Sequence, residues 1–256
     1  MSVGRQLDTL LRMLKRGNTV SVIPVRASSN WRGISDCRHC GVREMALFAD
    51  LRDEDFDRIH APIDDLAWAA QDTLFTEGER ASGILTLRQG MIKLVRVSSD
   101  GRERIVRVLR PGDVAGLEAL GSGHYGNEAV ALTDVAVCRI PLEVIHALSG
   151  SSPRLHLRLM QKWQAALQEA DDWLAALNFG TARQRVANLT LKMMGHPAPD
   201  EVTLFARDDM GAMMDLQLET VSREVSHLVR EQVLAPLDRS GRRYRVLDEA
   251  RLRERA

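Results

Sequence analysis

Two kinds of hydrophobic pattern divide the chain. Brief alternating apolar runs fill its middle: Ile84 to Leu87, Ile92 to Val97, Ile105 to Leu109, Ala129 to Leu132 and Val135 to Ile140. Gly78, Gly83, Gly90, Gly101, Gly112, Gly121 and Gly123 punctuate them. Many short strands at this spacing predict an antiparallel barrel or sandwich from about residue 74 to 140, with Ser98-Ser99-Asp100-Gly101 as a hairpin turn. After Pro141 the period becomes helical. Pro153 suits the first position of a long helix that runs to about Asn178 and ends near Gly180. Its apolar stripe comprises Leu155, Leu159, Trp163, Ala166, Leu167, Ala170, Trp173, Leu174 and Leu177. A single stripe over about seven turns predicts a coiled-coil-like seam between two copies of the chain; burial within its own subunit is the competing reading. No charge interrupts that face, so the pair should form without a ligand to tip it.

Thr181 to Met194 reads as another helix, stopped by Gly195-His196-Pro197-Ala198-Pro199. Phe205 to Met214 fits a short helix with Met210, Met213 and Met214 on one side. Asp215-Leu216-Gln217 breaks it, and a further helix follows from Leu218 to about Glu231, with Val221, Val225 and Leu228 facing inward. Two short helices joined by so tight a turn form a helix-turn-helix signature. Its second helix presents Glu219, Ser222, Arg223 and Ser226 outward together. Arg223 can fork onto guanine, Glu219 can accept from cytosine or adenine amino groups, and Ser222 is permissive. Leu237 to Val246 reads as a basic hairpin with a Ser-Gly turn. Arg207, Arg239, Arg242 and Arg243 are candidates for phosphate contacts.

Composition adjusts this picture in one respect. Of 256 residues, 45% are hydrophobic and 27% charged, as in soluble globular proteins, but the net charge is zero. Any nucleic-acid surface must therefore be local. No apolar run reaches about 18 residues, and Asp8 and Arg12 interrupt the apolar residues of the first turns, so a secretory leader is not expected. Leu7, Leu10, Leu11 and Leu14 instead fit one face of a short amphipathic helix, and 15–36 reads as a linker. A second short helical stretch is expected from Arg52 to Ile59. The three cysteines, Cys37, Cys40 and Cys138, are too few for a disulfide framework and suit a reducing, cytoplasmic setting. No nucleophile–base pair, paired-carboxylate motif or phosphate loop supports an enzyme. A ligand-binding barrel whose C-terminal helices bind protein is the rival from another class.

Several motifs together carry a resemblance. Pro111-Gly112-Asp113-Val114-Ala115-Gly116, Gly121-Ser122-Gly123-His124, Cys138-Arg139-Ile140-Pro141 and Glu219-Thr220-Val221-Ser222-Arg223 resemble the FNR-like branch of the Crp/Fnr superfamily of bacterial transcription regulators, from about Cys37 to Val246. The resemblance implies an α+β chain with a jelly-roll, cupin-like barrel as sensor (37–150), a dimerisation helix (151–180) and a winged helix-turn-helix (181–256), with 1–36 as an extension. It also implies double-stranded DNA and RNA polymerase as partners. The residues matching Glu219, Ser222 and Arg223 would read a half-site of the type TTGAT, paired as TTGAT, four bases, ATCAA.

For the signal, the resemblance offers two ligands. Cyclic nucleotides are held in the superfamily by a Gly-Glu pair and an Arg-Ser or Arg-Thr pair. Here Gly116 is followed by Leu117, with Glu118 displaced by one, and Gly126-Asn127-Glu128-Ala129 puts a carboxylate where a phosphate-binding arginine belongs. Cyclic nucleotide is not expected. FNR-like oxygen sensors hold a 4Fe–4S cluster on Cys-x2-Cys-x5-Cys and a distant cysteine before Ile-Pro. Cys37, Cys40 and Cys138 match three of the ligands, but the third N-terminal position is Ala46. Either His39, Asp36 or Asp50 supplies the fourth bond, or the cluster is lost and the cysteines are free thiols, a redox pair or a weak metal site.

Overall fold

The computed structural model describes residues 47, 48, 51, 55, 59, 63–99, 101–194 and 198–256. The expected amphipathic helix near the N-terminus, Cys37, Cys40, Ala46 and their candidate partners His39, Asp36 and Asp50 lie outside the described residues, as does most of the stretch expected to be helical from Arg52 to Ile59.

Eight strands form two four-stranded antiparallel sheets. The first contains β1 (Asp64–Trp68), β8 (Val135–Pro141), β3 (Gly83–Gln89) and β6 (Val114–Ala115), in that order. The second contains β2 (Thr73–Phe75), β7 (Glu128–Ala131), β4 (Ile92–Val97) and β5 (Glu103–Leu109). Phe75, Leu85, Leu87, Leu94, Ala129 and Val137 fill the space between them. The expected strands are all present. β1, β2 and β6 are additional: two are very short, and β1 opens on Asp64 and Asp65, which hide its period. The turn after β6 depends on Gly116, whose φ is +80°, and a Cβ there would meet the Tyr125 ring at 2.8 Å. That ring stacks on Phe75 with centroids 3.7 Å apart, and its hydroxyl donates to the Gly83 carbonyl at 2.7 Å. A short α1 (Ala119–Ser122) follows Gly116, and α2 (Leu142–Ser149) follows β8.

The long helix α3 (Pro153–Asn178) has the expected bounds. Ser152 caps it by accepting from the Leu155 amide, Pro153 sits at its start, and Gly180 (φ +83°) lies past its end. Its apolar stripe divides into two faces. Leu155, Leu159, Trp173 and Leu177 are buried in their own subunit, and Ala166 packs against the same cluster as Leu155 and Leu159. Trp163, Leu167 and Leu174 stay 40%, 65% and 58% exposed, with Met160 beside them. Leu155, Leu159 and Leu177, expected in the seam between copies, thus serve the protomer's own core. The arc is wide enough for both jobs because positions such as 155 and 167 differ by about 120° around a helix of 3.6 residues per turn.

Beyond it come α4 (Ala182–Met193), β9 (Glu201–Thr203), α5 (Arg207–Met214), α6 (Leu218–Arg230), β10 (Leu234–Pro236), β11 (Arg243–Val246) and α7 (Glu249–Arg253). Thr181 and Gln184 close a reciprocal capping box on α4. The basic hairpin departs from the sequence expectation. Its strands pair Leu234 with Val246 and Pro236 with Tyr244, so Ser240-Gly241 lies inside a longer loop rather than forming a tight two-residue turn. β11 also pairs with β9, a three-residue strand whose period is too short to read.

Candidate nucleic-acid interface

The interface is built on the packing of α5 against α6. Met210, Met213 and Met214 of α5 and Val221, Val225 and Leu228 of α6 are buried in one cluster with Val186 and Leu189 of α4. The turn between the helices is specified by its residues. Asp215 adopts φ +54°, which Asp tolerates better than most side chains. Leu216 donates back to the Gly211 carbonyl at 3.1 Å. Any Cβ at Gly211 would meet the Leu216 carbonyl oxygen at 2.5 Å, so the turn closes only over glycine.

With its apolar face committed, α6 directs the remaining positions outward. Glu219, Arg223 and Ser226 are exposed, and Ser222 is half-buried. The Arg223 side chain is 60% exposed; its Nε lies 3.5 Å from Glu224, which is itself held at 3.5 Å by Arg183 of α4. The structure therefore brings Glu219, Ser222 and Arg223 to one open surface, as the helical spacing requires.

The four arginines grouped from sequence separate into two sets. Arg239 and Arg242 are exposed on the loop between β10 and β11. Asp238 organises that loop. Desolvation alone would raise its pKa, but hydrogen bonds from Ser240 and from the backbone of Arg242, Arg243 and Gly241 hold it below the usual carboxylate range. Arg207 instead donates to the Gly241 carbonyl at 3.0 Å and the Tyr244 hydroxyl at 2.8 Å, tying the start of α5 to the loop. Arg243 pairs with Glu201 of β9 at 2.9 Å. Sequence spacing marks all four as basic but does not reveal these partners.

In the barrel, Glu118 accepts from the Gly126 amide at 3.1 Å, and Glu128 accepts from the Thr73 hydroxyl at 3.2 Å. Both carboxylates are thus used internally. Between barrel and α3 lies a cavity of about 130 Å³, lined among others by Arg107, Asp113, Leu117, Lys162, Ala166 and Glu169. That is below the roughly 300–1,000 Å³ of ordinary small-molecule sites. Arg107 reaches across it to the Ala166 carbonyl at 3.3 Å. Burial lowers the Arg107 pKa, against the pull of Glu118, Asp113 and Glu169. Lys162 donates to the Gly112 carbonyl at 2.6 Å.

Cys138 is buried, and its thiol donates to Asp65 Oδ1 at 3.3 Å across the β1–β8 pairing. Arg88 lies 2.6 Å from the same oxygen. Cys138 belongs to one apolar cluster with Leu47, Phe48 and Leu51, the residues that follow Ala46. The cysteine suits a sulfur ligand set, whereas the Asp65 carboxylate is already engaged by that thiol and by Arg88. Sequence reasoning missed Asp65, because only the strand register brings it to Cys138. Among the described residues, no group of three or more His, Cys, Asp or Glu side chains is placed to hold a metal ion.

A barrel joined by a long helix to a winged helix-turn-helix is the architecture of a DNA-binding regulator. The comparisons with known proteins agree. Residues 66–151 match the cyclic nucleotide-binding domain family, and residues 184–255 match the Crp-like helix-turn-helix domain family. The fumarate and nitrate reduction regulatory protein of Escherichia coli (strain K12) is 28% identical over 206 residues, covering 78% of this chain and 82% of its own. The solved structure of FixK2 from Bradyrhizobium japonicum superposes with a TM-score of 0.68 at 25% identity, covering 75% of this chain and 96% of FixK2. A CRP-family transcriptional regulator from Thermus thermophilus gives 0.64 at 25% identity, covering 74% and 95%. The chain belongs to the Crp/Fnr superfamily, a family of DNA-binding transcription regulators rather than enzymes. Among the described residues, no helix is long and apolar enough to cross a membrane.

Proposed function

We propose that the chain acts in the cytoplasm as a homodimer that reads a palindrome of the type TTGAT, four bases, ATCAA, and from there engages RNA polymerase. In this division of labour 37–150 sense, 151–180 pair the protomers, and 181–256 bind DNA. The observation that carries the reading is the open surface of α6 bearing Glu219, Ser222 and Arg223 together. Arg223 forks onto guanine, Glu219 accepts from the amino groups of neighbouring bases, and Arg239 and Arg242 approach the phosphates. The exposed arc of Trp163, Leu167 and Leu174, with Ala170, is the seam that gives the protein the two-fold symmetry of such a site. An anisotropy titration with this duplex and with a scrambled one of the same length tests the proposal. Specific binding at least a thousandfold tighter at physiological salt, in order of magnitude, is expected; equal affinities would reject it.

For the signal, the match of Cys37, Cys40 and Cys138 to three cysteine positions of an FNR-like cluster, together with the likeness to the fumarate and nitrate reduction regulatory protein, favours a redox role. Cys37, Cys40 and Cys138 would supply thiolates to a 4Fe–4S cluster, with a non-cysteine fourth ligand in place of the residue at Ala46. When bound, such a cluster supplies sensitivity to oxygen. The chain's own part is to exclude water around Cys138 and to keep charge balanced there through Asp65 and Arg88. Protein purified without oxygen should contain iron and acid-labile sulfide and show a brown absorption that air bleaches. A colourless, iron-free preparation would leave control to thiol oxidation or to abundance of the protein.

A further inference from the structure

The outer face of the barrel sheet containing β4 and β5 is covered by the protein's own helix-turn-helix. Val95, Ile105, Val108 and Leu132 of the barrel share one apolar cluster with Met210 and Met213 of α5. Lys93, on the same face of β4, lies 2.6 Å from Asp209 of α5, with both side chains largely buried (11% and 13% exposed). Arg104 of β5 pairs with Asp215 at 2.7 Å and donates to Asn178 Oδ1 at 3.4 Å. One guanidinium therefore joins the barrel, the last residue of the long helix, and the turn that immediately precedes α6. Arg110, after β5, adds a bond to the Lys192 carbonyl in α4.

We propose that Lys93, Arg104, Asp209 and Asp215 are positioning residues for DNA readout: the β4–β5 ribbon of the sensor fixes where the reading helix stands. Asp215 is the left-handed residue on which the α5–α6 turn depends, so holding its carboxylate holds the entry to α6. The reading face stays uncovered in this arrangement, so the clasp serves binding and does not block it. Two reading helices that must meet two half-sites at once lose less freedom on binding when each is already held to its barrel. A helix-turn-helix that swings on α3 alone incurs that ordering cost on every specific encounter, whereas sequence-independent phosphate binding tolerates the swing.

The proposal rests on the DNA reading above only through the choice of duplex. Lys93→Glu, Asp209→Lys and the double swap are compared with the unaltered protein, each first checked for folding by circular dichroism. Two quantities are read: the ratio of affinities for the palindrome and a random duplex, and hydrogen exchange of the α5 amides. The ratio cancels the general effect of added charge near DNA. Each single change should lower the ratio about fivefold and speed α5 exchange, and the double swap should return both to within about twofold of the original. Single changes that leave both quantities unchanged, raise the ratio, or are not rescued by the swap overturn the proposal. If the unaltered protein shows no preference for the palindrome, the half-site reading fails, and the exchange data with their rescue decide the clasp alone.

Discussion

Asp113 illustrates how single residues in this chain take their chemistry from position. It lies in the loop between β5 and β6, and its Oδ2 accepts from the Arg110 amide at 2.8 Å. Burial pushes its pKa up, while that hydrogen bond and the nearby Lys162 and Arg107 cations pull it down; the net shift is upward. A carboxyl raised in the native state adds stability below its unfolded pKa of about 3.9, and that stability is lost as pH climbs through the native value. Asp113→Asn keeps an acceptor for the Arg110 amide and removes the titration. Calorimetric Tm measured across pH should therefore fall for the original protein relative to Asp113→Asn as pH rises through that window. Parallel curves would contradict the assignment. The same dependence on position limited what the basic hairpin could reveal. Arg207 and Arg239 are indistinguishable as letters, yet Arg207 is engaged by Gly241 and Tyr244 while Arg239 stands exposed. Contacts between residues more than thirty apart leave no local periodic trace. Glu219 and Arg223, by contrast, were legible because their outward direction follows from the helix period and from Val221, Val225 and Leu228, which bury the opposite face.

At the scale of elements, α3 is where the pattern was read correctly and its partner incompletely. Its bounds follow from Ser152, Pro153 and Gly180, each of which acts within a turn of its own position. Which sector of a wide apolar arc meets which neighbour depends on the barrel, and the barrel claims Leu155, Leu159 and Leu177. The exposed sector bears the test of association. Leu167→Glu places a charge in the middle of the proposed seam and leaves the buried sector untouched. Sedimentation in air at micromolar concentration should show a dimer for the original protein, and Leu167→Glu should weaken association about tenfold or more, since a buried leucine contributes roughly 1.5–3 kcal/mol. A monomeric original protein, or a variant that associates equally well, would remove α3 as the seam. The short elements tell the opposite story: β6, β9 and α1 are too brief for any period, and only Gly116 and the pairing strands define them.

For the whole molecule, the order of barrel, helix and winged helix-turn-helix was visible as a change of period from alternating to helical. The docking of the last module onto the first was not visible, because Lys93 in a strand looks like any surface lysine until Asp209 is brought to it. That docking makes the chain one mechanical unit, in which a change at the barrel has a direct route to the reading helix. Sequence readout by α6 through Arg223 is decided by a two-by-two measurement. The original protein and Arg223→Ala are titrated against the palindrome and against the same duplex with the guanine of each half-site replaced. The original protein should lose about 1–3 kcal/mol at the altered guanine, Arg223→Ala should lose a similar amount on the intact site, and the variant should no longer distinguish the two duplexes. If Arg223→Ala weakens both duplexes and random DNA equally, Arg223 touches only the phosphates and the readout assigned to α6 is wrong.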